Sequence, residues 1–325
     1  MRPFLNLRLQ GVKVAGFDLP CSLLRLTFQG ESMKVGFVGL GRMGSGMAGR
    51  ILEAGHELYI FDLVEAATRS LAAEGATVCS SVGELAAESE VVVSMLVHDE
   101  AIRSVALGSG GLCDNLSRDG IHLVMGTHGI ATIRELEERH AAAGQTLVAA
   151  PVLGRPDLAA SGQLGIVVAG ADDAMTRCRE LLNVMGRRTF YAGTRPESAS
   201  SIKLANNAVL GCAMVAMSEG FALVKRYGVD PQVFQDVMTE GLFAAPAYKI
   251  YGQKMVDESW DEVGSPISVG LKDAKLIAEA GWIAGVPMPS HNVYLDRLLG
   301  ATSHGDGERD QAVLGREQAR ASGLE

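Results

Sequence analysis

Residues 34–44 read KVGFVGLGRMG, a short apolar run that ends in Gly39, Gly41 and Gly44. The next stretch, MGSGMAGRILEAG (43–55), has helical spacing and stops at Gly55, a suitable C-cap. A strand that passes through Gly39-Leu40-Gly41-Arg42-Met43-Gly44 into a helix leaves few folds open. The first glycine permits the tight turn, the second lets a pyrophosphate approach the backbone, and the third lets helix and strand pack closely. Free N–H groups and the helix dipole then favour phosphate at the helix start. The following strand, ELYIFD, ends in Asp62, 18 residues after Gly44. A carboxylate there accepts hydrogen bonds from an adenosine ribose 2′-OH and repels a 2′-phosphate, so the expected cofactor is NAD, with NADP disfavoured. The alternative is a glycine-rich turn in which Asp62 caps a helix.

The alternation continues. A helix is expected through about Ala73, then a short strand near 76–78, buried strands at 90–96 and 121–127, a helix at 133–144, and strands at 146–152 and 164–170. Strands that alternate with helices imply a mostly parallel, doubly wound sheet. The strand signal stops after about Tyr191, and helices are expected at 199–227, 231–240, 246–257, 270–285 and 288–299, with Asp230 capping the second and Pro231 just inside it. The tail after Gly300 is polar and is expected to pack loosely. The expected fold is α/β: an N-terminal Rossmann doubly wound parallel sheet, residues 33–195, plus a C-terminal all-α domain, residues 196–325. Residues 1–32 read as a non-essential extension, because Met33 directly precedes the first strand.

The formal net charge of −9 disfavours nucleic acid or an anionic membrane as the main partner. Five cysteines stand far apart without a CxxC pair, which suits a reducing cytoplasm and argues against a disulfide scaffold or a zinc site. Seven histidines lack HExxH spacing, so no metal is expected. No apolar run reaches spanning length without charged, glycine or polar breaks.

The segment SSIKLANNAVL (200–210) opens a long apolar run yet carries Lys203, Asn206 and Asn207. Spacings of three and four residues put them on one helix face. Lys203 either snorkels to water or works in a buried site, because an amine is costly to bury without a partner. A run that is apolar nearly all round needs covering on every side, which points to oligomerisation through the helical half.

The chain resembles the β-hydroxyacid dehydrogenases, the 3-hydroxyisobutyrate dehydrogenase-like members of the 6-phosphogluconate dehydrogenase superfamily. Four motifs carry the likeness in order over 33 to about 300: GFVGLGRMGSGMAGRILEAGH, APVLG (150–154), KLANN (203–207) and GLKDAKLIAEAGWIAGVPMP (270–289). The resemblance implies hydride transfer between a nicotinamide and a 3-hydroxy acid or semialdehyde, and a homodimer or homotetramer. It implies Lys203 as the catalytic acid/base and Asn207 as the residue that orients a small-molecule substrate. Lys272 and Asp273 fall on the pair that closes the site, although adjacent charges on a helix also suit a surface ion pair. Thr127 falls on a loop near the nicotinamide, and Met95 and Leu96 follow the strand expected beneath its ribose. The chemistry agrees, since removing a hydride from a carbinol requires a base beside the hydroxyl, and burial lowers a lysine towards that task.

The chain also departs from the pattern. The family's APVSGG loop is here Leu153, Gly154 and Arg155, so a serine hydroxyl is replaced and an arginine arrives. Arg155 would either hold an anion in a bidentate contact or face solvent. Gly126 stands for a serine, His128 and Gly129 follow Thr127, and Ser265 stands where an aromatic residue is frequent. His128 is either a second proton relay or a packing residue. These changes point away from 3-hydroxyisobutyrate itself and towards a larger, more apolar carbonyl or hydroxy acid. Two other functions remain open: an imine reductase-like enzyme, which usually carries Asp or Tyr at Lys203 and prefers NADPH, and a non-catalytic NAD-binding module.

Overall fold

The structure, a computed structural model, describes residues 32–324. The expected extension otherwise lies outside the described residues. Six strands form a parallel sheet: β1 Lys34–Val38, β2 Glu57–Phe61, β3 Thr77–Val78, β4 Val91–Ser94, β5 Ile121–Val124 and β6 Thr146–Ala149. Their order is β3-β2-β1-β4-β5-β6, so the direction of winding reverses between β1 and β4. Ligands of open parallel sheets bind at such a reversal, beyond the carboxyl ends of the strands. The strands read as continuous apolar runs because both faces are covered. Phe37, Ile60, Val93 and Leu123 pack on one face, and Val38, Val92, Val124 and Leu85 on the other.

The remaining strands leave this sheet. β7 Val152–Leu153, β8 Leu164–Val168 and β9 Gly186–Tyr191 form a second sheet in the order β7-β8-β9. β7 and β8 run antiparallel, whereas β8 and β9 run parallel. The expected strand at 146–152 is therefore two strands, interrupted at Pro151, which cannot donate to a ladder.

Past Pro196 the described residues are helical. The helix Pro196–Arg226 has Pro at its first turn and is long and apolar enough to cross a membrane by length and composition. Part of its apolarity has a local cause. Met214, Met217 and Phe221 pack with Ile267, Tyr294, Leu298 and Leu314 from other helices. Asp230 accepts from the Gln232 N–H as the N-cap of Pro231–Glu240. The expectation of a loosely packed tail is corrected. The helix Pro289–Ser303 runs past Gly300, and a further helix spans Leu314–Ala321. Ala312, Val313 and Leu314 are buried, since the polar composition of this segment conceals one apolar turn that seals the helical core.

Candidate active site and coenzyme cradle

The glycine loop has the shape its spacing predicts. Gly39 has φ +94°, and a Cβ there would stand 2.5 Å from the Met95 carbonyl oxygen. A Cβ on Gly44 would meet the Gly39 carbonyl oxygen at 1.9 Å, whereas one on Gly41 would meet nothing within 4 Å. The outer glycines are therefore demanded by the protein itself, and the open space at Gly41 is a cradle for a ligand. Helix Gly44–Glu53 starts at Met43 without a side-chain cap and has no acid in its first turn. Its positive end is left for an anion. These residues fit a dinucleotide.

Asp62 Oδ2 accepts from the Leu40 N–H at 2.7 Å, and Oδ1 accepts from the Val64 N–H at 2.8 Å. The carboxylate thus ties the end of β2 to the glycine loop, and each oxygen keeps a second lone pair. Leu40 is itself buried and offers the cradle its backbone only. Asp62 and Gly39 line a cavity of about 390 Å³ together with Ser80, Ser81 and Leu96.

Leu96 also borders a larger cleft of about 460 Å³. Gly41, Arg42, Met43, Gly44, Met95 and Thr127 form one wall. Leu153, Gly154 and Arg155 form a second, and Lys203, Asn207, Lys272 and Asp273 a third. Every residue that the sequence nominated, Leu40 and His128 apart, lines one of these two adjoining spaces.

The third wall is a hydrogen-bonded strap. Asn207 Nδ2 donates to Asp273 Oδ2 at 2.8 Å. Lys272 Nζ stands 2.6 Å from Asp273 Oδ1 and donates to the Thr127 carbonyl oxygen at 2.9 Å. The strap links the long helix, helix Ile267–Ala284 and the loop after β5. Lys272 and Asp273 are therefore no exposed surface pair; they line the cleft, with side chains only 15% and 14% exposed. Asn207 spends its amide N–H on Asp273, so its nearest visible duty is to position that carboxylate.

Lys203 Nζ donates to the Val152 carbonyl oxygen at 2.8 Å. Burial lowers its pKa from the ordinary lysine value; the Asp273 charge opposes that effect and the Lys272 charge adds to it. Asn206 is exposed and only reaches Asn207 Oδ1 at 3.5 Å.

His128 is buried, and its Nδ1 lies 2.9 Å from Asp99 Oδ1. Asp99 also accepts from Thr132 Oγ1 at 2.5 Å. Burial lowers the His128 pKa from the ordinary histidine value, against the pull of Asp99. A Cβ on Gly126 would lie 2.6 Å from His128 Nε2. The glycine and the histidine thus belong together, since the ring fills the space a serine would need, and this favours the packing reading. Sequence reasoning missed Tyr251, Tyr294 and Gln311, which close the far end of the cleft. Tyr294 Oη donates to Gln311 Oε1 at 2.7 Å, and Gln311 Nε2 donates to Ser265 Oγ at 2.7 Å. These residues sit on segments without a motif, and Gln311 lies in the tail expected to be loose. Among the described residues no group of three metal-ligating side chains occurs.

Known proteins resemble this chain in sequence and fold. Residues 34–193 match the family model described as the NAD binding domain of 6-phosphogluconate dehydrogenase. Residues 198–316 match the model described as NAD-binding of NADP-dependent 3-hydroxyisobutyrate dehydrogenase. An uncharacterized oxidoreductase, YfjR, of Bacillus subtilis is 32% identical over 282 residues, covering 87% of this chain and 98% of that protein. The 3-hydroxyisobutyrate dehydrogenase of Pseudomonas aeruginosa is 35% identical over 217 residues, 67% of this chain and 72% of that protein. The crystal structure of 3-hydroxyisobutyrate dehydrogenase (ygbJ) from Salmonella typhimurium superposes with a TM-score of 0.78 at 26% identity, covering 87% of this chain and 98% of that one. An imine reductase from Pseudomonas sp. shares the fold, with a TM-score of 0.57 at 21% identity and coverage of 88% and 99%. The chain belongs to the β-hydroxyacid dehydrogenase family, the NAD(P)-dependent oxidoreductases that act on hydroxyl groups of hydroxy acids.

Proposed function

We propose that this chain is an NAD(H)-preferring dehydrogenase that interconverts a 3-hydroxy acid and its semialdehyde or keto acid, with Lys203 as the acid/base. One observation carries the reading: Lys203, an amine with a pKa lowered by burial, faces the same cleft as the glycine cradle. When bound, the nicotinamide supplies the carbon that takes or gives the hydride. The protein does the rest. Lys203 Nζ, held by the Val152 carbonyl, takes the hydroxyl proton in oxidation and returns it in reduction. Asn207 and Lys272 hold Asp273 beside it, which keeps a negative charge near the amine when it is protonated. Asp62 supports NAD over NADP, because a 2′-phosphate would meet this carboxylate and the apolar Leu63 and Val64, with no cation adjoining them in sequence.

The same reading gives residues 33–195 to coenzyme binding and residues 196–325 to substrate and subunit contacts. It makes the enzyme a homodimer or homotetramer of a reducing cytoplasm, in keeping with the free cysteines Cys79, Cys113, Cys178 and Cys212. The test is NADH and NADPH consumption over short semialdehydes, β-keto acids and cyclic imines, for the wild type and Lys203→Ala. NADH-linked turnover of aldehydes or keto acids, lost in the variant, supports the proposal. Imine turnover with NADPH that ignores Lys203 replaces it with an imine reductase, and Lys203→Ala that leaves every measurable function intact replaces it with a coenzyme-binding module.

A further inference from the structure

Four cations face the cleft of a chain whose formal net charge is −9, and three of them are engaged. Arg42 donates to the Val263 carbonyl oxygen at 2.6 Å. Lys203 donates to the Val152 carbonyl and Lys272 to that of Thr127. Arg155 differs from all of them. Its guanidinium donates no hydrogen bond to any described residue. The carboxylate it approaches, Asp157, stands 3.8 Å away and is 73% exposed, so water screens the pair. Arg155 itself is only 33% exposed.

The guanidinium is nonetheless seated. A Cβ added to Gly264 would lie 2.6 Å from its Nη2, 2.7 Å from Cζ and 3.0 Å from Nη1, so its face rests on the bare backbone there. A guanidinium carries five donors in a planar fork that matches a carboxylate. Among the uncharged polar side chains at this end of the cleft, Tyr294, Gln311 and Ser265 satisfy one another. Asp273, the acid of the cleft, is held by Asn207 and Lys272. The free charged donor is Arg155.

We infer that Arg155, seated on Gly264, selects carboxylate-bearing substrates by a bidentate contact of its unengaged guanidinium; this rests on the dehydrogenase reading above. A neutral amide of the same shape offers the fork one uncharged acceptor oxygen in place of two charged ones, and gains less from it. Arg155 therefore acts on specificity, and proton transfer stays with Lys203.

The experiment compares kcat/KM for a series of 3-hydroxy acids with that for their primary amides, using wild type, Arg155→Met and Arg155→Lys with NAD. Equilibrium NADH binding is measured for each. Losing a charge-assisted bidentate contact should lower kcat/KM for the acids about 10- to 100-fold, mostly through KM. Amide turnover should fall far less, NADH affinity should stay unchanged, and Arg155→Lys should recover part of the acid preference. If Arg155→Met disturbs NADH binding, the comparison rests on Arg155→Lys, which keeps charge and stem but loses the fork, and must still weaken acids more than amides. Equal losses for acids and amides, or a wild-type acid preference retained in both variants, overturn the inference alone. Wild type that turns over none of the acids overturns the dehydrogenase reading and this inference with it.

Discussion

Gly39, Gly41 and Gly44 look equivalent in the sequence and answer to different demands. The open space at Gly41 means that Gly41→Ala should fold with an unchanged melting temperature yet bind NADH at least about tenfold more weakly, since a methyl group enters the space a diphosphate needs. Gly44→Ala would place its methyl 1.9 Å from the Gly39 carbonyl oxygen, so it should lose stability as well as coenzyme. Thermal melts and NADH titrations of the two variants separate these outcomes, and identical behaviour would refute the assignment. Lys203 was legible because a lysine interrupts an apolar run. Its pKa lies below the ordinary 10.5, owing first to burial. Oxidation should therefore quicken with rising pH along a limb below pH 10.5, while reduction slows over the same limb. Lys203→Ala should abolish that limb and cut kcat by roughly 10²- to 10⁴-fold with little change in NADH affinity; a mutant profile that keeps the limb assigns it to another group. The partner of Asn207 was not legible, because Asp273 lies 66 residues away and nothing in either motif names the other.

Among the elements, β5 and helix Ile130–Ala142 are joined by a buried polar chain. Ser94 Oγ lies 2.8 Å from His122 Nε2, His122 Nδ1 lies 2.9 Å from His140 Nε2, and His140 Nδ1 lies 2.7 Å from Gln145 Oε1. Each ring serves as donor on one nitrogen and acceptor on the other, which requires both to be neutral. Burial lowers the pKa of His122, His140 and His128 alike. The unfolded chain therefore takes up protons near pH 6.5 that the folded one refuses. Stability should be level above about pH 6.5 and fall as pH drops through it, by up to about 1.4 kcal/mol per pH unit for each histidine. Denaturant midpoints at pH 7.5, 6.5 and 5.5 measure this, and a flat series would contradict it. The long helix offers a second check. Alanine ordinarily stabilises a helix interior relative to glycine by about 1 kcal/mol, but a Cβ on Gly211 would lie 2.4 Å from the Tyr294 ring. Gly211→Ala should thus destabilise, by roughly 1–3 kcal/mol, as overpacking does. A raised melting temperature would show that Tyr294 yields freely. Helix positions were legible from periodicity and caps. The division of 146–152 into two sheets was not, because apolar spacing says nothing about which sheet a strand joins.

For the molecule as a whole, the expected fold class holds, and what the sequence hid is how the outer surface is used. Val209, Leu223, Tyr227, Val237 and Trp282 are 60–88% exposed on the helical half. The proposed homodimer or homotetramer would cover side chains of this kind. Light scattering at micromolar concentration should return at least twice the 34.2 kDa chain mass, and a monodisperse monomer would leave that surface unexplained. The cleft itself is bridged by bonds that cross it: Arg42 to Val263, Lys203 to Val152 and Lys272 to Thr127. Each joins a residue of the sheet half to one of the helical half. The proposed reacting centre therefore lies at a seam, and a seam parts before the cloth tears. Mild urea should silence turnover while circular dichroism still reports intact helices and strands, so that enzyme activity becomes the more sensitive gauge of whether the two halves remain in register.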